Sequence, residues 1–368
     1  METIVDKLFP AIKQFGPILY KFLSAIEDAP FIVQMEPTSQ CNLSCVMCTR
    51  TLSPKPARDM SFEEFERVAY AVINSHSWIV RRLFPQVLIF DLTGIGEALL
   101  NTRFLDMVEA LKRRRVTVTL ADNFTLMDDT AAERIIRAGV DVLFISLDAS
   151  SKQTYEKLRR GAVFAKTLGN IERFVKVQKR IGALKPRLII RCLVMSENVG
   201  ELPQMVRLAR TCGVGSVSFD HLNPSPATQH LKVSRSAYER AKRQALQLGE
   251  ELGITVLCAP YPKQSHARCT RPFNSVNVTV EGHVLPCCFS NERKHYSELA
   301  PFSMGNAFEQ NVVEIWRSAR FRQFRSMLSQ RRAPPFCGDC YLYRLDSARD
   351  REDGAGPSEE PPRRETQT

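Results

Sequence analysis

From residue 31 the chain alternates short β-rich runs with helical stretches, and that alternation limits the fold more than any other feature. The runs are Phe31–Met35, Val87–Leu92, Val116–Ala121, Val142–Leu147, Leu188–Val194 and Val217–Phe219. Between them lie helical stretches with marked ends. Ser61 and Glu64 make a capping box ahead of Phe65, and Gly139 follows a helical stretch that starts near Asp128. Gly182, Gly213 and Gly253 close further periodic segments. Val87-Leu88-Ile89-Phe90 is continuously apolar, as a strand covered on both faces must be. Six such βα units imply a parallel sheet, curved into a barrel or part of one.

Near residue 258 the rhythm changes. Val276–Val280 and His283–Pro286 flank Glu281-Gly282 and read as a small hairpin. A helical stretch, about 312–328, follows, and then Cys337-Gly-Asp-Cys340. The expected organisation is an amphipathic helical segment over 1–29, a core domain over 30–257, a small cysteine-rich domain over 258–343 and a disordered polar tail over 344–368. In the first segment Ile4, Leu8, Ile12, Leu19, Phe22 and Ile26 recur near helical spacing, with Pro10 and Pro17 dividing it into two short helices. A lid packed on the main domain is favoured there over a peripheral membrane contact.

The 368 residues are 44% hydrophobic and 25% charged, the balance of a chain that buries a real core in water. No run approaches the roughly 20 apolar residues of a membrane-spanning helix. Met1-Glu2-Thr3 lacks the basic start of a secretion signal, so the expected location is cytoplasmic. In a reducing compartment eleven cysteines point to metal or redox chemistry rather than disulfides. The net charge of +11 raises the question of nucleic acid. Much of it lies in Arg317, Arg320, Arg322, Arg325, Arg331 and Arg332, which read as a solvated helix face, and no nucleic-acid partner is expected.

Cys41, Cys45 and Cys48 form a C-x3-C-x2-C set just after the first strand. Three thiolates on one tight loop suit an iron–sulfur cluster. A 4Fe-4S cluster held by three cysteines keeps one iron open for a small molecule. Zinc and a structural thiol group are the competing readings; zinc sites usually come as paired C-x2-C or cysteine–histidine motifs.

The triplet, its context Glu36-Pro-Thr-Ser-Gln-Cys41-Asn-Leu43 and its place after the first strand resemble the radical S-adenosylmethionine superfamily. Met47 stands where many members have an aromatic residue. The resemblance implies an α/β fold with a partial (β/α)6 TIM-like barrel. It also implies that the open iron chelates S-adenosylmethionine, whose reductive cleavage yields a 5′-deoxyadenosyl radical that removes a substrate hydrogen. Thr93-Gly94-Ile95-Gly96-Glu97 matches the family's glycine-rich segment, with Ala98 replacing the usual proline. By resemblance Gly94, Gly96 and Glu97 hold the cofactor's ammonium group, Ser146 and Asp148 contact the cofactor, Arg191 meets its carboxylate and Asn198 touches the adenosine. Asp220 and His221, at the end of the sixth strand, are candidates for substrate contact or proton transfer, with capping and surface roles as alternatives.

Cys269-x12-Gly282-x4-Cys287 followed by Cys337-x2-Cys340 is similar to the auxiliary-cluster domain of the same superfamily, in its SPASM or shortened twitch form. The resemblance implies a second 4Fe-4S cluster on Cys269, Cys287, Cys337 and Cys340, with Cys288 a rival to Cys287 and a four-cysteine zinc site the competing reading. Cys192, Cys212 and Cys258 read as small apolar packing residues. By that resemblance the chain is expected to oxidise a small polar metabolite such as an amino sugar or cyclitol, with an external electron donor such as flavodoxin or ferredoxin. Two alternatives stand beside that expectation. One is a peptide maturase that oxidises or cross-links side chains; the other is a non-enzymatic metal- or nucleic-acid-binding protein.

Overall fold

In the computed structural model, residues 27–52, 56–222, 225–261, 269–287 and 300–330, with Arg332, Pro334 and Cys337, are described. The expected helices before Glu27, the tail, Cys288 and Cys340 lie outside them.

The six expected strands form as β1 (Ile32–Met35), β2 (Ile89–Asp91), β3 (Thr117–Asp122), β4 (Val142–Ser146), β5 (Arg187–Val194) and β6 (Ser216–His221). A seventh, β7 (Thr255–Cys258), follows the αL cap at Gly253 and pairs with β6. Consecutive strands from β1 to β7 are parallel neighbours, as short helical crossovers require. The hairpin forms as β8 (Ser275–Val278) and β9 (Val284–Leu285), antiparallel to each other. It also continues the main sheet, because β8 runs parallel to β1 with Gln34 opposite Asn277. The resulting sheet runs β7-β6-β5-β4-β3-β2-β1-β8-β9 and does not close, which makes it a partial barrel.

The α-helices of five or more residues among the described ones are α1 (Phe62–Ser75), α2 (Trp78–Leu83), α3 (Phe104–Arg113), α4 (Asp129–Ala138), α5 (Lys152–Leu158), α6 (Phe164–Ile181), α7 (Leu202–Cys212), α8 (Arg235–Leu252), α9 (Val312–Trp316) and α10 (Ala319–Ser329), and one short turn, Thr49–Leu52, follows Cys48. The capping box of α1 has both bonds, Glu64 N–H to Ser61 Oγ at 3.1 Å and Ser61 N–H to the Glu64 carboxylate at 2.9 Å. Phe65, Val68 and Val72 bury the inner face of α1 completely, each stabilising by roughly 1.5–3 kcal/mol. The stretch expected as one helix over 312–328 is two. Arg317 ends α9, and Ser318 Oγ accepts the Phe321 N–H to start α10.

The sheet divides the apolar interior. Its outer face and the helices make one large core, whereas Val142, Phe144, Ile189 and Leu257 form a separate cluster on the opposite, concave face. Strand alternation therefore decides which side chains reach the concave face.

The hairpin turn depends on Gly282, whose φ of +86° is left-handed. A Cβ there would stand 2.3 Å from Asn306 Oδ1 and 2.6 Å from the Phe308 ring. Gly282→Ala should cost about 2–4 kcal/mol, from the αL penalty plus overpacking, read as a lowered thermal midpoint of anaerobic protein.

Candidate active site at the C-terminal ends of the strands

The loop after β1 is held at many points. Ser39 Oγ donates to Pro56 O at 2.7 Å and accepts from Arg58 N–H at 2.9 Å, while Arg50 Nε donates to Ser39 O at 2.9 Å. Farther along, Ser44 N–H and Val46 N–H donate to Arg160 O and Leu158 O, both at 2.9 Å, which lays the cysteine segment along the α5–α6 connection. Cys48 N–H donates to Cys45 O at 3.2 Å, closing the turn between those two cysteines.

Burial pushes the Cys45 thiol up to about 11, with the Arg159 charge opposing and the charges of Cys48 and Cys41 adding. Burial also raises Cys48. Thiolates in such a place need compensating positive charge, and Arg159 supplies only part of it. Among the described residues no group of three side chains is spaced to hold a single metal ion. A cubane cluster asks for a wider spread of sulfurs than one ion does. The donor set, three mutually interacting thiols on a clamped loop, fits such a cluster.

The loop after β2 lies directly on this one. Glu97 N–H donates to Gln40 O at 2.7 Å. A Cβ on Gly96 would stand 2.1 Å from Thr38 O, and one on Gly94 would stand 2.3 Å from Glu36 Cγ. The resemblance gives these glycines to the cofactor's ammonium group. The atoms that a Cβ would meet are the protein's own, so the glycines permit loop-on-loop contact.

Glu97 is buried, and one carboxylate oxygen accepts the Asn123 N–H at 3.0 Å. Its other oxygen and Asp122 Oδ2 are buried without a conventional hydrogen-bond partner. Burial, then the neighbouring charge of Asp122, push Glu97 well above the usual carboxylate range, and burial raises Asp122 as well. Asp122 was missed in the sequence, because only the β2–β3 pairing brings it to Glu97. Asn42, within the cysteine segment, is tied to the β3 loop by Asn123 Nδ2 at 3.0 Å and to Thr125 Oγ1 at 2.7 Å.

The remaining candidates divide by strand face. Asp148 is fully buried, with Oδ1 accepting Leu193 N–H at 2.8 Å and Oδ2 2.7 Å from Arg159 Nε. Asn198 donates to Asp148 O and Leu193 O and accepts from Met195 N–H, so its amide is occupied by backbone. Both brace the β4 and β5 ends behind the cysteine loop. Ser146 ends β4 opposite Arg191 on β5. Arg191 lies 3.9 Å above the Phe144 ring centre on the concave face. It faces Asp220 on β6, Nε to Oδ2 3.2 Å, so the protein itself supplies the carboxylate partner expected from the cofactor.

His221 is sent to the other face. Its ring packs 4.3 Å from Tyr238 and 5.3 Å from Tyr261, and burial lowers its pKa to about 4. His221 is therefore buried rather than at the surface, and it does not share the concave face with Asp220.

The concave face also carries polar residues that the sequence did not single out. Asn277 on β8, Gln34 on β1, Asp91 on β2 and Thr119 on β3 stand side by side in register. Asp91 Oδ1 accepts from Thr93 Oγ1 at 2.8 Å and Thr119 Oγ1 at 3.0 Å. Burial raises its pKa, while those hydroxyls and the charges of Arg191 and Arg271 oppose the rise. Asn277 Oδ1 is buried and has no hydrogen-bond partner among the described residues.

In the cysteine-rich unit, Cys337 packs with Phe324 and Leu328 of α10, and Cys269 and Met304 join them. Cys287 is buried just beyond β9.

The chain matches the family model described as Radical SAM superfamily over residues 35–209 and the SPASM iron-sulfur cluster-binding domain over 269–341. It is 26% identical over 324 residues to the tungsten-containing aldehyde ferredoxin oxidoreductase cofactor-modifying protein of Pyrococcus furiosus, covering 84% of this chain and 86% of that one. It is 26% identical over 313 residues to the PqqA peptide cyclase of Gluconobacter oxydans, covering 82% and 80%. Streptococcus suis SuiB bound to S-adenosylmethionine shares the fold, with TM-score 0.66, 15% identity and coverage of 86% and 72%.

Two outcomes follow from this geometry. Gly96→Ala should push the cysteine loop from its place and lower iron retention at the first site, while far-UV circular dichroism stays close to the parent's. His221 is neutral in the fold, but the unfolded chain takes up its proton below about 6.5. Stability should therefore fall as pH drops from about 6.5 toward about 4, by at most about 1.4 kcal/mol per pH unit. His221→Phe should flatten that slope in denaturant titrations; an unchanged slope would place the proton elsewhere.

Proposed function

From the premise that this chain is a radical S-adenosylmethionine protein with a SPASM iron–sulfur domain, we propose that it matures a peptide, oxidising or cross-linking a side chain held on the concave face. The observation that carries the reaction class is the cysteine loop, clamped between the β2 loop and the α5–α6 connection. Cys41, Cys45 and Cys48 would hold the cluster that binds S-adenosylmethionine. Cys269, Cys337 and Cys287, with Cys340 outside the described residues, would hold the auxiliary one. When bound, the cofactor and cluster supply one-electron chemistry strong enough to break an unactivated C–H bond.

The protein's own residues do the rest. Glu97 and Asp122 offer two acidic groups for the cofactor's ammonium beside the cysteines. Arg159 offsets negative charge at Cys45, and Asp148 fixes Arg159. The Arg191–Asp220 pair and Asp91 line the concave face, where they would orient a polar part of the substrate. Phe144, Ile189 and Leu257 would exclude water from the other part.

The PqqA peptide cyclase among the relatives supports a peptide over the amino sugar or cyclitol first expected. An external electron donor remains part of the reading, because cofactor cleavage consumes an electron.

The test is anaerobic reconstitution beside a Cys41/Cys45/Cys48→Ala variant. The parent should hold about eight irons and the variant about four, with 5′-deoxyadenosine from the parent alone. For the substrate, the enzyme would be coexpressed with short open reading frames that neighbour its gene, and the peptides weighed by mass spectrometry. Loss of hydrogen from one peptide supports the proposal. Turnover of aminocyclitols with every such peptide unchanged would overturn it.

A further inference from the structure

The N-terminal ends of the strands, opposite the cysteine loop, carry a surface that the chemistry above does not use. α2 leads into β2 and so lies at that end, as do the connections into β5 and β8. Trp78 is 64% exposed, Leu83 55% and Ile79 38%, all on α2. Leu184, just before β5, is 96% exposed, and Phe273, just before β8, is 39% exposed. These are five of the eight large apolar side chains found exposed among the described residues.

The same end is basic. Arg81 and Arg82 are exposed within α2, and Lys185 is exposed next to Leu184. Arg113, Arg114 and Arg115 are exposed where α3 turns into β3. A helix dipole explains a single cation in a last turn, not a triplet, and it does not explain tryptophan and leucine in water. Asp141 is also at this end but is buried and bonded to Lys112 and Lys185. Glu250 and Glu251 lie at the far edge, below β7.

We propose that this end of the barrel rests on an anionic lipid surface. Trp78, Ile79 and Leu83 would enter the headgroup boundary while Arg81 and Arg82 meet phosphates, the pairing of apolar and basic groups that an interface accepts. Nucleic acid would satisfy the arginines but leave the apolar side chains in water. The chain before Glu27 joins at this end too, since the Glu27 carboxylate accepts Ser77 N–H at 3.0 and 3.2 Å. Its sequence carries the amphipathic spacing of Ile4, Leu8, Ile12, Leu19 and Phe22. Contact here would leave the cysteine-loop end facing solvent, open to substrate and reductant.

The test is flotation of full-length, cluster-loaded protein with phosphatidylcholine vesicles, with and without phosphatidylglycerol. Partition should favour the anionic vesicles by about tenfold or more and weaken as salt rises. The chain has two tryptophans, and Trp316 is 3% exposed, so a blue shift in emission on binding reports Trp78. Arg81→Glu with Arg82→Glu, and separately Trp78→Ser with Leu83→Ser, should each cut partition about tenfold. 5′-Deoxyadenosine formation should stay at the parent's rate. Equal partition into neutral vesicles, or none at low salt, would overturn the proposal. So would binding that is lost on deleting residues 1–26 but indifferent to both pairs of substitutions. Duplex DNA that outcompetes anionic vesicles would assign the surface to nucleic acid instead.

Discussion

The Glu36 carboxylate sets the geometry of the whole mouth. It is almost fully buried at the end of β1, and its oxygens accept Ile95 N–H at 2.8 Å and Val280 N–H at 3.1 Å. Those two charge-assisted bonds tie β1 to the β2 loop on one side and to the β8–β9 turn on the other. A carboxylate this buried would be costly without such donors, so the three segments hold one another in place. Position 94 has no room for a Cβ because Glu36 already fills the space. Gly96 then lets the β2 loop lie on Thr38–Gln40, one residue before Cys41. The place of the first thiol thus follows from a bond between strands far apart in sequence.

Strand alternation does the next sorting. On β5 and β6, Arg191 and Asp220 face the concave side, while Cys192 and His221 turn to the helices. On the helix side Asp148 is taken up by Arg159 and Leu193 and Asn198 by backbone, while His221 packs among aromatic rings. On the concave side Asn277 Oδ1 keeps an acceptor without a partner among the described residues. A polar residue near a strand end thus takes its role from the parity of its position.

The six strands and the glycine caps were legible because periodicity and capping are local. β7 was not recognised, although Thr255-Val-Leu-Cys258 follows Gly253 directly; it is short, partly exposed and adjacent to the change of rhythm. Ser318 could have been read as a cap dividing the 312–328 stretch, since serine ahead of a helix is a local signal. The row Asn277-Gln34-Asp91-Thr119 was beyond reach. It depends on β8 lying beside β1, a pairing across more than two hundred residues that no local pattern encodes. Asp122 and Glu97 are likewise neighbours only through strand pairing. The resemblance assigns Gly94 and Gly96 to the cofactor, and the atoms that leave no room for a Cβ at either are the protein's own.

The concave face mixes apolar and polar surface, which suits a peptide better than a small polar metabolite. β4, β5 and β7 contribute Phe144, Ile189 and Leu257, β5 and β6 add the Arg191–Asp220 pair over Phe144, and β8, β1, β2 and β3 contribute the polar row. A cyclitol would satisfy the polar row but leave the apolar part against water. The acceptor without a partner among the described residues, Asn277 Oδ1, calls for an N–H or O–H donor. One peptide residue offers both parts, a backbone amide for the acceptor and a side chain for Phe144 and its neighbours. Among the described residues β7 and β9 do not pair, so the sheet keeps two edges rather than closing on itself. A closed barrel with the same residues would admit only a substrate small enough to be enclosed.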